Sequence, residues 1–298
     1  MRDVLAASGV PLLGAYVVPT AGDRKAAADD AAAVRAAGAD LVVTATSGPE
    51  RSRYTSTNQS IDLAAACQSH AGVPALATVT TWSRSVMALQ AHLLGGHARG
   101  VTRLVCGNGS APLSDDTSKA EGPWAVDVVE LIELLRGLNE GIDRYGLRLD
   151  AATHFDIGVR IRAVPTLSAA DRARTRRKIA AGVHFIVTSP VYSQHALDTL
   201  LDVIDGAVPV LATVHRFRSL AEAERLRHEL PDGCVPAALV ERLDHAGDGA
   251  AEEGERIAVE LAARLAESTQ GVILSRSDDP ALVSRMRTAA NTSNTSSG

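Results

Sequence analysis

Apolar residues recur along the chain in short unbroken runs. Each is followed by a polar or glycine-bearing tip and then by an Ala-rich stretch of mixed polarity. The runs are LLGAYVV at 12–18, LVVT at 41–44, ALATV at 75–79, RLVC at 103–106, DIGVRI at 156–161, FIVT at 185–188, VPVLATV at 208–214 and GVIL at 271–274. Unbroken runs of this length suit strands buried on both faces, and strand–helix alternation at this spacing builds parallel βαβ units. Eight such units in one chain of 298 residues predict an α/β fold, the (β/α)8 TIM barrel. That fold carries its chemistry at the C-terminal ends of the strands, so the tips after each run are the places to look for function.

Helical patterns fill the intervals at 23–37, 61–69, 83–99, 124–145, 168–181, 194–204, 219–230, 236–243, 254–267 and 280–288. Asp23, Ser83 and Ser168 are suited to N-caps, Pro280 to a first helical turn, and Gly38 and Gly182 to C-caps. The piece at 236–243 is an addition between the seventh and eighth strands. Residues 1–290 are expected to form one barrel domain, and the low-complexity NTSNTSSG at 291–298 a disordered tail.

Composition narrows the function classes. A net charge of −5 offers no basic face for nucleic acid, and no apolar run approaches the length of a membrane span. The first residues do not read as a signal peptide. Cys67, Cys106 and Cys234 are scattered, with no metal-ligand spacing, which fits reduced thiols in a cytoplasmic protein. No metal is expected.

Read in order, the strand-end segments resemble those of the methylenetetrahydrofolate reductase family. The segments are VVPT at 17–20, VVT at 42–44, RLVCGNGSAP at 103–112, WAVDVVELI at 124–132, RRKIAAGVHFIVT at 176–188, VPVLATVHRFRSLAEAERL at 208–226 and VILSRSDDP at 272–280. No one of them is specific; their order, spacing and register are. The resemblance implies a (β/α)8 barrel that binds FAD and reduces a folate-linked one-carbon unit with NADH or NADPH.

The resemblance also distributes roles. It places Thr44 near the flavin phosphates and Gly107 against the isoalloxazine, with Cys106, Asn108 and Arg162 at the neighbouring tips. Trp124 and Ala125 match a pair packed beside the cofactor. Asp171, Arg174, Arg177 and Lys178 match or flank positions that meet the adenosine and phosphate parts. Arg174, Arg177 and Lys178 lie within two turns of one helix, where they can converge on a diphosphate or form a solvated basic face. On the substrate side the candidates are Ser189, Tyr192, His215, Glu222, Leu226 and Arg276.

Several of these positions depart from the family pattern. The family's strand-one Glu, its proton donor, has no counterpart, and Tyr16, or Ala15 on a one-residue shift, stands there instead. The Asp that contacts the pterin becomes Asn108, which keeps the hydrogen-bonding shape without the charge. Two Gln positions become Ser189 and Glu222, and a Phe becomes Leu226. Arg276 is kept. Tyr16 is a weaker acid than a carboxyl, and it serves either as the replacement proton donor or as a filler at the barrel top. Together these features imply a flavin-dependent but catalytically divergent oxidoreductase with a small-molecule, folate-type substrate, either monomeric or self-associating. The alternative is a non-reductase paralog on the same fold, performing flavin-independent one-carbon transfer or serving as a ligand-binding or partner subunit.

Overall fold

The computed structural model describes residues 10–18, 23–45, 60–81, 85–107, 126–231, 233–276 and 279–295, the side chains of 292–295 excepted. The first half of the chain runs β1 (Leu12–Val17), α1 (Arg24–Ala36), β2 (Leu41–Thr44), α2 (Ser60–Ala71), β3 (Ala75–Thr80), α3 (Val86–Ala98), β4 (Arg103–Gly107) and α4 (Val128–Asn139). The second half runs β5 (Asp156–Ile161), α5 (Ala169–Ala180), β6 (Phe185–Val191), α6 (Gln194–Ile204), β7 (Val210–Val214) and α7 (Leu220–Glu229). It continues with α8 (Ala237–Ala246), α9 (Ala250–Ser268), β8 (Gly271–Leu274) and α10 (Pro280–Thr295). The eight strands pair in parallel and in chain order, and β8 closes the barrel against β1.

The unbroken apolar runs follow from this closure. Side chains alternate across each strand, so a barrel strand wrapped by helices needs apolar residues at both parities. One set fills the barrel interior: Leu12, Leu41, Val43, Leu76, Val105, Phe185, Val187, Leu211 and Ile273. The other set faces the helices and includes Leu13, Val42, Ala77, Leu104, Ile157, Ile186, Ala212 and Val272. Arg160 and Ile161 divide between the two sides in the same way. Ile161 joins the helix-facing layer, while Arg160 reaches an interior residue, Tyr16.

Local signals set most helix ends. Asp23 accepts hydrogen bonds from the amides of Lys25 and Ala26, and Ser168 from that of Asp171. The cap of α3 is Ser85 rather than Ser83, which lies outside the described residues. Within the expected helix 124–145, α4 is held by a capping box between Asp127 and Glu130 and stops before Gly141, whose φ is +75°. Gly38 and Gly182 follow their helices at φ +103° and +109°, as C-terminal glycines do. Strand β6 is longer than its apolar run and carries a register shift between Val187 and Pro190, the device by which a proline is accommodated in a ladder. Helix α10 continues to Thr295, so the low-complexity segment starts inside a helix rather than as a free tail at 291. The three cysteines are buried and unpaired. No described helix is long and apolar enough to cross a membrane.

Interior glycines make room for the large interior side chains. A Cβ on Gly158 would lie 2.4 Å from the Phe185 ring, which occupies that space. Gly158→Ala is expected to destabilise the fold by about 1–3 kcal/mol through overpacking, read as a lower denaturation midpoint. Adding Phe185→Leu should recover part of that loss. Strict additivity of the two changes would show that ring and glycine are not coupled.

Candidate active site

Strand β1 delivers Tyr16 to the inside of the barrel near its C-terminal end, and β5 delivers Arg160 to meet it. The Arg160 guanidinium donates from Nη2 to Tyr16 Oη at 2.9 Å and to Thr78 Oγ1 at 3.5 Å. It also lies 5.4 Å from the centroid of the Tyr16 ring, within range of a cation–π contact. Tyr16 is buried at 7% exposure, with its hydroxyl engaged by a cation. Two buried atoms beside this cluster have no hydrogen-bond partner among the described residues: Arg160 Nε and Thr80 Oγ1.

A second polar cluster sits at the ends of β7 and β8. His215 is 3% exposed; its Nδ1 is 3.0 Å from Ser275 Oγ. Its Nε2 approaches Glu222 Oε1 at 3.4 Å. Glu222 belongs to the first turn of α7, where Oε2 accepts the Arg218 backbone N–H at 2.8 Å. Burial alone would raise the Glu222 pKa, but the His215 imidazole and the Arg218 amide outweigh it and hold the carboxyl down at about 2. Glu222 is therefore a carboxylate at any physiological pH. Tyr192 stacks on Phe217 at 5.6 Å, and the His215 ring meets Phe217 edge-on at 5.3 Å. Burial, and then the charge of Glu222, push the Tyr192 phenol up. Leu226 joins Tyr192 and Phe217 in one apolar cluster under α7, so it acts as packing there. Arg276 lines a small cavity with Arg216, Arg218, Ser275 and Asp279. Ser189 is half-buried on β6 beside its register shift.

The third group lies at the tips of β2, β4 and β5 and on α5. Ser168 donates to Asp171 at 2.6 Å, and this bond, reinforced by Arg174, holds the Asp171 carboxyl below its usual range. Arg162 is exposed and close enough to act on Asp171 electrostatically. Lys178 is half-buried, and its pKa is lowered first by burial and then by Arg174, with Asp127 opposing. The structure thus gathers Arg162, Asp171, Arg174 and Lys178 on one side, next to the start of α4; Arg177 is exposed on the same helix. Asn108, Trp124 and Ala125 fall outside the described residues.

Two candidates are engaged within the protein itself. Thr44 is fully buried and donates its hydroxyl to the Ser60 carbonyl at 2.8 Å, while Ser60 Oγ donates back to the Thr44 carbonyl at 2.7 Å. That clasp ties the end of β2 to the start of α2 and commits the hydroxyl. Cys106 has the helix-facing parity and sits in the outer core with its thiol pushed up to about 12 by burial. Its side chain is therefore turned away from the barrel interior, and β4 offers its tip through Gly107 instead. No described atom lies within 4 Å of where a Gly107 Cβ would be.

Arg160, Thr78, Thr80 and Ser275 were not among the site candidates taken from the sequence. For Arg160 a signal existed, since it is a charge inside an otherwise apolar strand at the interior parity. The threonines carried none, because Thr is at home in any strand.

No curated protein matches the chain. Among solved structures, one described as "QR15, an Aldolase" aligns over 97% of this chain and 96% of its own, at 12% identity and a TM-score of 0.47. The family model for methylenetetrahydrofolate reductase matches residues 16–273, from Tyr16 on β1 to Ile273 on β8. The chain belongs to the methylenetetrahydrofolate reductase family.

Proposed function

We propose that this protein is an oxidoreductase acting on a folate-linked one-carbon unit at the C-terminal mouth of the barrel, with FAD as cofactor and a nicotinamide nucleotide as reductant. The observation that carries the reading is the family match, which runs from Tyr16 on β1 to Ile273 on β8 and takes in the C-terminal ends of β1 to β7. FAD, when bound, would supply the hydride chemistry that no amino acid side chain can.

The residues present are suited to such a group in two places. Among the described residues nothing lies within 4 Å of a Cβ at Gly107, and a flat ring is proposed to approach the backbone there. On α5, burial first and the charge of Arg174 second lower the Lys178 pKa, and a diphosphate between the two cations would relieve their repulsion. Asp171, fixed by Ser168, is positioned to accept from ribose hydroxyls. Asn108, Trp124, Ala125, Arg162 and Arg177 complete the proposed cofactor set. Ser189, Tyr192, His215, Glu222 and Arg276 form the proposed substrate wall, with Leu226 packed behind it.

Catalysis is proposed to diverge at the acid step. The Tyr16 hydroxyl accepts from Arg160, which leaves its own proton to be donated toward the mouth. The second reading, a flavin-independent or non-catalytic paralog, is favoured by the Thr44 clasp, which leaves that hydroxyl nothing to offer a phosphate.

The purified protein is expected to show a flavin absorption band, and Arg177→Ala with Lys178→Ala to lower flavin occupancy. A colourless wild-type protein that takes up no added FAD would favour the second reading. Occupancy unchanged in the double variant would make this helix face merely solvated. With methylenetetrahydrofolate and reduced nucleotide, turnover is expected below the ordinary range of about 1–10³ per second, because the family's carboxyl donor is replaced. Tyr16→Phe should reduce what remains by about 10²-fold or more, the scale of a lost general acid. Full activity in that variant would assign Tyr16 to packing.

A further inference from the structure

We propose that Arg160, Tyr16 and Thr80 form a receptor for the carboxylate of a small ligand at the floor of the barrel mouth. The proposal is independent of the folate and flavin reading, since it needs neither group.

The charge of Arg160 is uncompensated among the described residues. Its partners there are two neutral hydroxyls, Tyr16 Oη and Thr78 Oγ1. The acid on its own strand with the same parity, Asp156, lies four residues toward the opposite end of the barrel, about 13 Å along the strand. Asp156 is moreover within ion-pair distance of Arg103, at 3.7 Å. A half-buried guanidinium without an anion is unfavourable, and so is a buried donor left unpaired. The site has both, in Arg160 Nε and the Thr80 hydroxyl. Below this level the interior is closed by apolar side chains, Val43, Leu76, Val105 and Phe185 among them, so a partner can enter only from the mouth.

The donors define the partner. Arg160 contributes one positive charge and a planar set of N–H groups. Tyr16 accepts from Arg160 and so has its O–H proton free to donate, and Thr80 sits one strand repeat beyond Thr78 with its hydroxyl unspent. One charge with two neutral donors matches a monoanionic, planar group. A phosphate dianion would leave a net negative charge inside the barrel.

The test is a thermal-shift titration of the purified protein with sodium acetate and sodium propionate, against sodium chloride at matched ionic strength and against inorganic phosphate. A saturable rise in Tm with the carboxylates is expected in wild type, absent in Arg160→Gln and weakened about 10-fold or more in apparent affinity in Thr80→Val. Without ligand, Arg160→Gln is expected to melt no lower than wild type, because it removes an uncompensated charge. A lower melting point with the carboxylate response intact would make Arg160 structural and overturn the proposal. So would the absence of any response in wild type. A larger response to inorganic phosphate than to the carboxylates would overturn the assignment of ligand class. Should Arg160→Gln fail to fold, Thr80→Val and Tyr16→Phe decide, and an undiminished carboxylate response in both overturns the receptor.

Discussion

Everything at the site depends on the two-sided burial of eight parallel strands. Closure leaves no edge, so every strand must satisfy an apolar interior and an apolar helix layer at once. Polar side chains are tolerated only where one of the two surfaces ends, and for the interior that is the mouth. The positions of Tyr16, Thr78, Thr80 and Arg160 on their strands are thus consequences of the packing below them. Phe185 over Gly158 plugs the barrel one strand repeat beneath Arg160 and forms the floor on which the charged layer rests.

The same alternation sorts the remaining candidates. Residues one position apart on a strand have opposite destinations, which is why Cys106 is lost to the helix layer while Gly107 next to it stays at the mouth. It also explains the Thr44 clasp. At helix-facing parity its hydroxyl is cut off from water, and the Ser60 carbonyl and hydroxyl satisfy it. Family position and side-chain direction are separate matters. A residue can hold the right place in the sequence order and still point into the wrong layer.

Much of the architecture was legible because it rests on local rules. Strand runs, the Asp23 and Ser168 caps, the Gly38 and Gly182 stops and the extra helix before β8 each have a local cause. What was not legible depended on contacts between distant residues. Arg160 meets Tyr16 across 144 positions of sequence and His215 meets Ser275 across 60, and no periodicity encodes either pairing. The β6 extension was hidden because a proline ordinarily ends a strand, and here a register shift carries the strand past it. Three further candidates, Asn108, Trp124 and Ala125, lie outside the described residues.

The replacements at the mouth are physically linked. In the family the strand-one end carries a carboxyl group; here it carries a neutral phenol, and β5 places a guanidinium against that phenol. Had the carboxylate been kept, Arg160 would have neutralised it in a closed ion pair, and neither group would be available to a ligand. With Tyr16 the charge of Arg160 meets no anion among the described residues, and the floor they form is cationic. Such a floor stabilises developing negative charge on a bound group and disfavours a cationic intermediate above it. Negative charge lies where β7 leads into α7, two strands from β1 and two from β5, and there Glu222 is held ionised beside His215. The described residues of the mouth thus carry both signs of charge, the guanidinium on β5 and the carboxylate after β7.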